Sequence, residues 1–133
     1  MKKAGVVAVS LPIATLYLNA APLPARKLIE AGVPVAVATD FNPGSAPSWH
    51  LPLAMMLACT LQRMTPAEVL VGATRAAAAA LRIGDVAGTL AKGKQADFAV
   101  IEADDLTQWL YHFRPNACVR TVIGGETVWS AVG

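Results

Sequence analysis

The spacing of apolar positions changes along this chain, and each change predicts a different element. Residues 6–10 open with Val6 and Val7 and include Val9, a β-branched run with the length of a buried strand. A short helix is predicted over 24–31, with Pro24 in the first turn, where its missing N–H is tolerated, and Gly32 as the stop. Residues 33–38 are apolar without alternation, as in a strand covered on both faces, and Pro34 sits at its start. Strand, loop, helix, strand is the repeating unit of a parallel α/β sheet.

Residues 39–50 are then polar and rich in turn formers: Asp40, Asn42, Pro43, Gly44, Ser45, Pro47 and Ser48. After them residues 51–64 are almost wholly apolar and predict a buried helix. Thr65, Pro66 and Glu68 form a capping box with proline at the first helical position, so a new helix starts at Pro66. It is predicted to run through the alanines at 76–80 and to stop near Gly84. Beyond Gly88 the chain turns to short strands, over 97–101 and 119–123, with Gly124 and Gly125 making a tight hairpin to a third over 126–129. The expected class is α/β, with a helical α/β half and a β tail that meet between Gly84 and Gly93.

Composition narrows the possibilities. At 133 residues and 55% hydrophobic the chain has the size and apolar content of one folded domain. Eleven basic and nine acidic residues leave a net charge of +2, with no cluster that would recruit nucleic acid or an anionic membrane. Cys59 and Cys118 lack metal-binding spacing and read as buried thiols of a reducing compartment. A rival reading attaches to the start. Met1, Lys2 and Lys3, an apolar stretch over 4–18, then Asn19, Ala20 and Ala21 have the zones of a secretory signal, although Ser10 and Pro12 interrupt the apolar part.

Loops leaving the C-terminal ends of parallel strands are where α/β folds place their chemistry, which makes 39–50 the candidate site. Asp40 stands alone immediately after an apolar strand, where a carboxylate can bind a divalent metal or take a proton from water. The alternative is that it hydrogen-bonds backbone donors two residues on and only shapes the loop. Asn42, Gly44 and Ser45 offer an amide, a closely approachable backbone and a hydroxyl to a polar or carboxylate-bearing substrate; the alternative is an ordinary Asn-Pro-Gly turn. His50 shares the loop, while His112 belongs to the run Tyr111, His112, Phe113, which reads as aromatic packing. Neither histidine has a second at chelating spacing. Cys59, among Leu57, Ala58 and Leu61, is expected to be an inert thiol.

The stretch from Thr39 to Ser45 resembles the loop after the eighth barrel strand of the imidazolonepropionases, in the amidohydrolase superfamily. Residues 25–32, 57–61, 64–66 and 111–113 agree with that family, and Gly88, Thr89 and Leu90 followed by 93–97 are similar to the return from barrel to small domain in many amidohydrolases. The resemblance implies the last two βα units of a TIM-like (β/α)8 barrel over 1–86 and strands of a small composite β domain over 87–133. It implies that Asp40 completes a mononuclear zinc or iron centre and moves the proton of the attacking water. It places Asn42, Gly44 and Ser45 against a small-molecule substrate, and the reaction is hydrolysis of the ring amide of 4-imidazolone-5-propanoate to N-formimidoyl-L-glutamate, a cytoplasmic step of histidine breakdown.

In that family three histidines from earlier strands also hold the metal. The first strand here matches the seventh of the barrel, so those ligands are expected from outside this chain, from a missing N-terminal half. A piece of barrel this size is expected to leave strand edges and helix faces uncovered, and a non-catalytic or self-associating fragment, as a homo-oligomer, is the alternative. A small secreted protein is the third reading.

Overall fold

The computed structural model describes residues 2–112 and 116–131. Its first layer is a two-stranded parallel sheet of β1 (Ala8–Ser10) and β2 (Val35–Val37), with Ala8 opposite Val35 and Ser10 opposite Val37. All three residues of β2 are buried, as its unbroken apolar run predicts. The sheet is extended at its upper end by the Ala38 N–H, which donates to the Ser10 carbonyl at 3.0 Å. Two helices connect the strands: α1 (Pro12–Tyr17) and α2 (Ala25–Glu30). The second follows expectation, and Gly32 leaves it with φ +71°. The first was expected as loop. Six residues are too few to show a helical period; Pro12 starts α1, and burial of Pro12, Ile13 and Ala14 beside a later helix holds it.

That later helix is α3 (Leu51–Gln62), which buries 54–58 and Gln62 and ends at Arg63 in the left-handed region, φ +57°. The Ser10 hydroxyl donates to Gln62 Oε1 at 2.7 Å, a buried polar contact tying the end of β1 to α3. Next comes α4 (Pro66–Val71), whose capping box is fully formed: the Glu68 N–H donates to the Thr65 hydroxyl at 3.2 Å, and the Thr65 N–H donates to Glu68 Oε2 at 2.8 Å. The expected single helix over 66–80 is interrupted. Gly72–Ala76 is a π turn before α5 (Ala77–Ala80). The widened turn lies where the helix backbone presses on β2; a Cβ on Gly72 would stand 2.9 Å from Val37 Cγ2 and 3.0 Å from the Val35 carbonyl oxygen.

The tail forms a three-stranded antiparallel sheet in the order β3 (Phe98–Ile101), β4 (Cys118–Ile123), β5 (Glu126–Ser130). Gly124 and Gly125 both take positive φ, 60° and 86°, as the tight hairpin requires. Asp97 Oδ1 accepts the Gly124 N–H at 2.7 Å and pins the hairpin to the start of β3. An unanticipated helix, α6 (Leu106–Tyr111), separates β3 from β4. Its signal was present in the chain. Asp105 accepts the Gln108 N–H at 2.8 Å, an N-cap at the usual three-residue spacing, and Gln108 Oε1 accepts the Asp104 N–H, four residues back, at 3.0 Å.

Three sequence expectations need correction. Cys59 and Cys118 are half-buried rather than buried: Cys59 lies inside α3 on the outer side of the apolar core, and Cys118 is the first residue of β4. The Cys59 thiol is nevertheless pushed up from its ordinary pKa by burial, in the direction expected of an inert thiol. Tyr111 is 77% exposed, so Tyr111 and His112 are not packed into the core; their rings meet edge to face at 5.2 Å. Phe113 lies outside the described residues. The apolar core joins Val33, Val35 and Val37 to Met55, Ala58, Met64, Val69 and Leu110. No helix among the described residues is long and apolar enough to cross a membrane.

Glu68 also joins α4 to α2. Arg26 donates from both terminal nitrogens to its two carboxylate oxygens at 2.8 and 2.9 Å. That hydrogen bond, with the Thr65 donors, lowers the Glu68 pKa from its ordinary 4.5. A carboxyl depressed in the folded state stabilises fully above the unfolded value, and the contribution disappears as pH falls through the lower folded value. Glu68→Gln is therefore expected to cost about 1 kcal/mol at pH 7, from the lost charge-assisted pair, and almost nothing once the wild-type carboxyl is protonated. Urea midpoints of both proteins in a pH series falling from 7 measure the convergence.

Candidate functional site

The strand β2 delivers the chain through Ala38 and Thr39 to Asp40, at the C-terminal end of the parallel pair. Asp40 is exposed and left-handed, φ +56°, a conformation that aspartate tolerates better than most residues but still disfavours. Among the described residues no backbone N–H donates to its carboxylate, whose one contact is the Asn42 amide at 3.4 Å. The loop-capping alternative for Asp40 is thereby overturned, because a neighbour has taken that work.

Asn42 is that neighbour. Its Oδ1 accepts the Gly44 N–H at 2.9 Å and the Ser45 N–H at 2.8 Å. Its Nδ2 donates to the Asp40 carbonyl at 2.6 Å and lies 3.4 Å from Asp40 Oδ2. The Ser45 hydroxyl sits beside the same amide, 3.2 Å from Nδ2 and 3.3 Å from Oδ1. The loop closes through the Asn42 N–H on the Ala46 carbonyl at 3.0 Å, and Ala46 is fully buried, which roots it in the core. Asp40, Asn42, Gly44 and Ser45, singled out one by one from the sequence, thus form one hydrogen-bonded unit.

His50 is at the N-cap position of α3, half-buried, and its imidazole does not cap the helix. Beside the loop stand Phe41 and Trp49, exposed aromatic rings in edge-to-face contact at 5.2 Å. Sequence reasoning passed over them, although two large aromatics inside a polar loop are themselves a signal of a surface awaiting contact.

A divalent metal is the group to test against these residues. The Asp40 carboxylate is a hard oxygen donor, open to solvent, with one weak hydrogen bond at 3.4 Å, so it fits as one ligand. A closed set is not formed: among the described residues no three His, Cys, Asp or Glu side chains gather to hold an ion. Among the described residues Asp40 is a single oxygen donor where a zinc site needs three or four protein ligands.

Comparison with known proteins locates the chain. The sequence profile of the Amidohydrolase family matches residues 1–128. The chain belongs to the amidohydrolase family. It is 45% identical over 128 residues to the imidazolonepropionase of Geobacillus thermodenitrificans, covering 96% of this chain and 30% of that protein. It is 48% identical over 126 residues to that of Ralstonia nicotianae, covering 94% and 31%. This amidohydrolase-family chain therefore bears the resemblance to imidazolonepropionases expected from its loop, and it spans about a third of the length of the relatives it matches. Among solved structures it is similar to a zinc-bound adenosine deaminase from Xanthomonas campestris, TM-score 0.86 at 26% identity, over 95% of this chain and 32% of that one. It also matches the guanine deaminase of E. coli, TM-score 0.80 at 21% identity, over 96% and 35%, a likeness of fold alone. The α/β class follows from these matches together with the parallel pair.

Proposed function

We propose that this chain contributes the carboxylate end of an imidazolonepropionase-type active site, hydrolysing the ring amide of 4-imidazolone-5-propanoate to N-formimidoyl-L-glutamate in cytoplasmic histidine breakdown. The observation that carries the reading is an exposed, hydrogen-bond-poor carboxylate at the C-terminal end of a parallel strand, inside a stretch 45% identical to an imidazolonepropionase. In this reading 1–86 are the last two βα units of a TIM-like barrel and 87–133 belong to a small composite β domain. Further strands, and the histidines of the metal centre, come from polypeptide beyond these residues. That remainder, or a second copy of the chain, is the partner proposed for the uncovered sheet edges.

Zinc or iron, with Asp40 among its ligands, would supply the positive charge that polarises the amide carbonyl. Asp40 takes the proton of the attacking water as the water oxygen bonds to the carbonyl carbon, and returns it to the ring nitrogen as the C–N bond breaks. Gly44 and Ser45 line the substrate's approach, on the turn that Asn42 organises. The Ser45 hydroxyl and the Gly44 backbone are suited to its polar groups, and the missing side chain at Gly44 allows close approach.

The decisive experiment compares the purified chain with the chain plus a polypeptide carrying the other six barrel strands. The expected result is metal near stoichiometry and turnover of the imidazolone in the mixture, and neither in the chain by itself. Turnover by the chain alone would remove the need for outside ligands; no turnover in a mixture that does associate would refute the assignment of the reaction.

A further inference from the structure

We propose that Asn42 is a positioning residue whose contribution to the reaction passes through Asp40. The inference deepens the reading above and rests on Asp40 being the metal-binding carboxylate. A primary amide has two donor hydrogens and two acceptor lone pairs. In Asn42 both lone pairs are taken by the Gly44 and Ser45 N–H groups, at 2.9 and 2.8 Å. One hydrogen goes to the Asp40 carbonyl at 2.6 Å, and the other has Asp40 Oδ2 at 3.4 Å and the Ser45 hydroxyl at 3.2 Å as its acceptors. The amide is saturated before any substrate arrives.

What this saturation achieves is visible at Asp40. A left-handed aspartate is held against its own preference, and the Asn42 amide grips the carbonyl that ends that residue. The grip is itself anchored, because Asn42 is tied through its N–H to the fully buried Ala46. Gly44 belongs to the same device: a Cβ there would lie 3.3 Å from Asn42 Oδ1, crowding the oxygen that organises the turn. The loop thus converts core rigidity at Ala46 into a fixed direction for the Asp40 carboxylate.

The test uses the whole chain, labelled with 15N and 13C, without metal or substrate. In the wild type the two Asn42 side-chain amide protons are expected to be separately resolved and slow to exchange. Asn42→Ala is expected to move the Asp40 Cα and Cβ shifts out of the left-handed range, together with the Gly44 and Ser45 amides, while the β2 signals stay in place and report an intact fold. Ser45→Ala removes one weak contact and leaves the Asp40 signals where they were. In the assembled hydrolase Asn42→Ala is expected to lower kcat and metal affinity about 10- to 100-fold, with KM little changed. Unmoved Asp40 resonances in Asn42→Ala, or a raised KM at unchanged kcat, would overturn the proposal. The Asp40 reading fails separately, if Asp40→Asn keeps its activity; the spectra of the chain would still show whether the amide holds residue 40.

Discussion

Asp40→Asn in the assembled hydrolase is expected to lower kcat by at least about 10³-fold, because in the role proposed for Asp40 the change removes both an anionic ligand and the proton acceptor. The substitution nearly preserves shape, so the loop should survive it. The Asn42 amide grips the Asp40 main-chain carbonyl, which the variant keeps, and the contact with the side chain is the weak one at 3.4 Å. Steady-state turnover of the imidazolone, with metal measured on the same samples, separates the two roles. Loss of metal together with activity assigns Asp40 to the centre. Retained metal with lost turnover assigns it to proton transfer alone, and a variant within a few-fold of wild type would remove Asp40 from the chemistry.

The second large effect concerns the fold. Gly88 has φ +88°, and a Cβ added there would stand 2.5 Å from Ala78 Cβ, 3.2 Å from the Thr74 carbonyl oxygen and 3.3 Å from Arg75 Cα. The segment leaving the helices lies directly against the π turn and α5, and nothing at the contact is flexible: one neighbour is an alanine and two are backbone. Gly88→Ala should therefore cost about 3 kcal/mol or more, adding overpacking to left-handed strain. That is a large part of the roughly 5–15 kcal/mol that holds a typical domain together. Gly93 provides the control. It has φ +89° with nothing within 4 Å of its built Cβ, so Gly93→Ala should cost only the backbone strain, about 1 kcal/mol. Urea denaturation of both variants measures the gap, and equal midpoints would mean that the Gly88 contact yields without strain.

Particular residues show why some elements were legible and others not. The capping box at Thr65 and Glu68, the glycine pair at 124 and 125, and the unbroken apolar run of β2 are local devices, satisfied by atoms within a few residues, so their spacing in the chain suffices. The cap of α6, at Asp105 and Gln108, is just as local, but the six residues it starts are too few to show a helical period. Helix α1 and the π turn had no such signal. Both depend on a partner far along the chain: α3 for the one, β2 for the other.

The same division runs through the site. The order of residues by itself determined that a carboxylate follows a buried strand, that an amide, a glycine and a hydroxyl come within five positions of it, and that the loop resembles one family's, because each is a matter of residue type and short spacing. Only the tertiary structure decided that Asn42, rather than Asp40, caps the turn, that Asp40 is left-handed with its carboxylate toward solvent, and that buried Ala46 anchors the whole. Those outcomes depend on which backbone donors a folded loop brings within 3 Å of which oxygen, and that distance is set by the core beneath the loop.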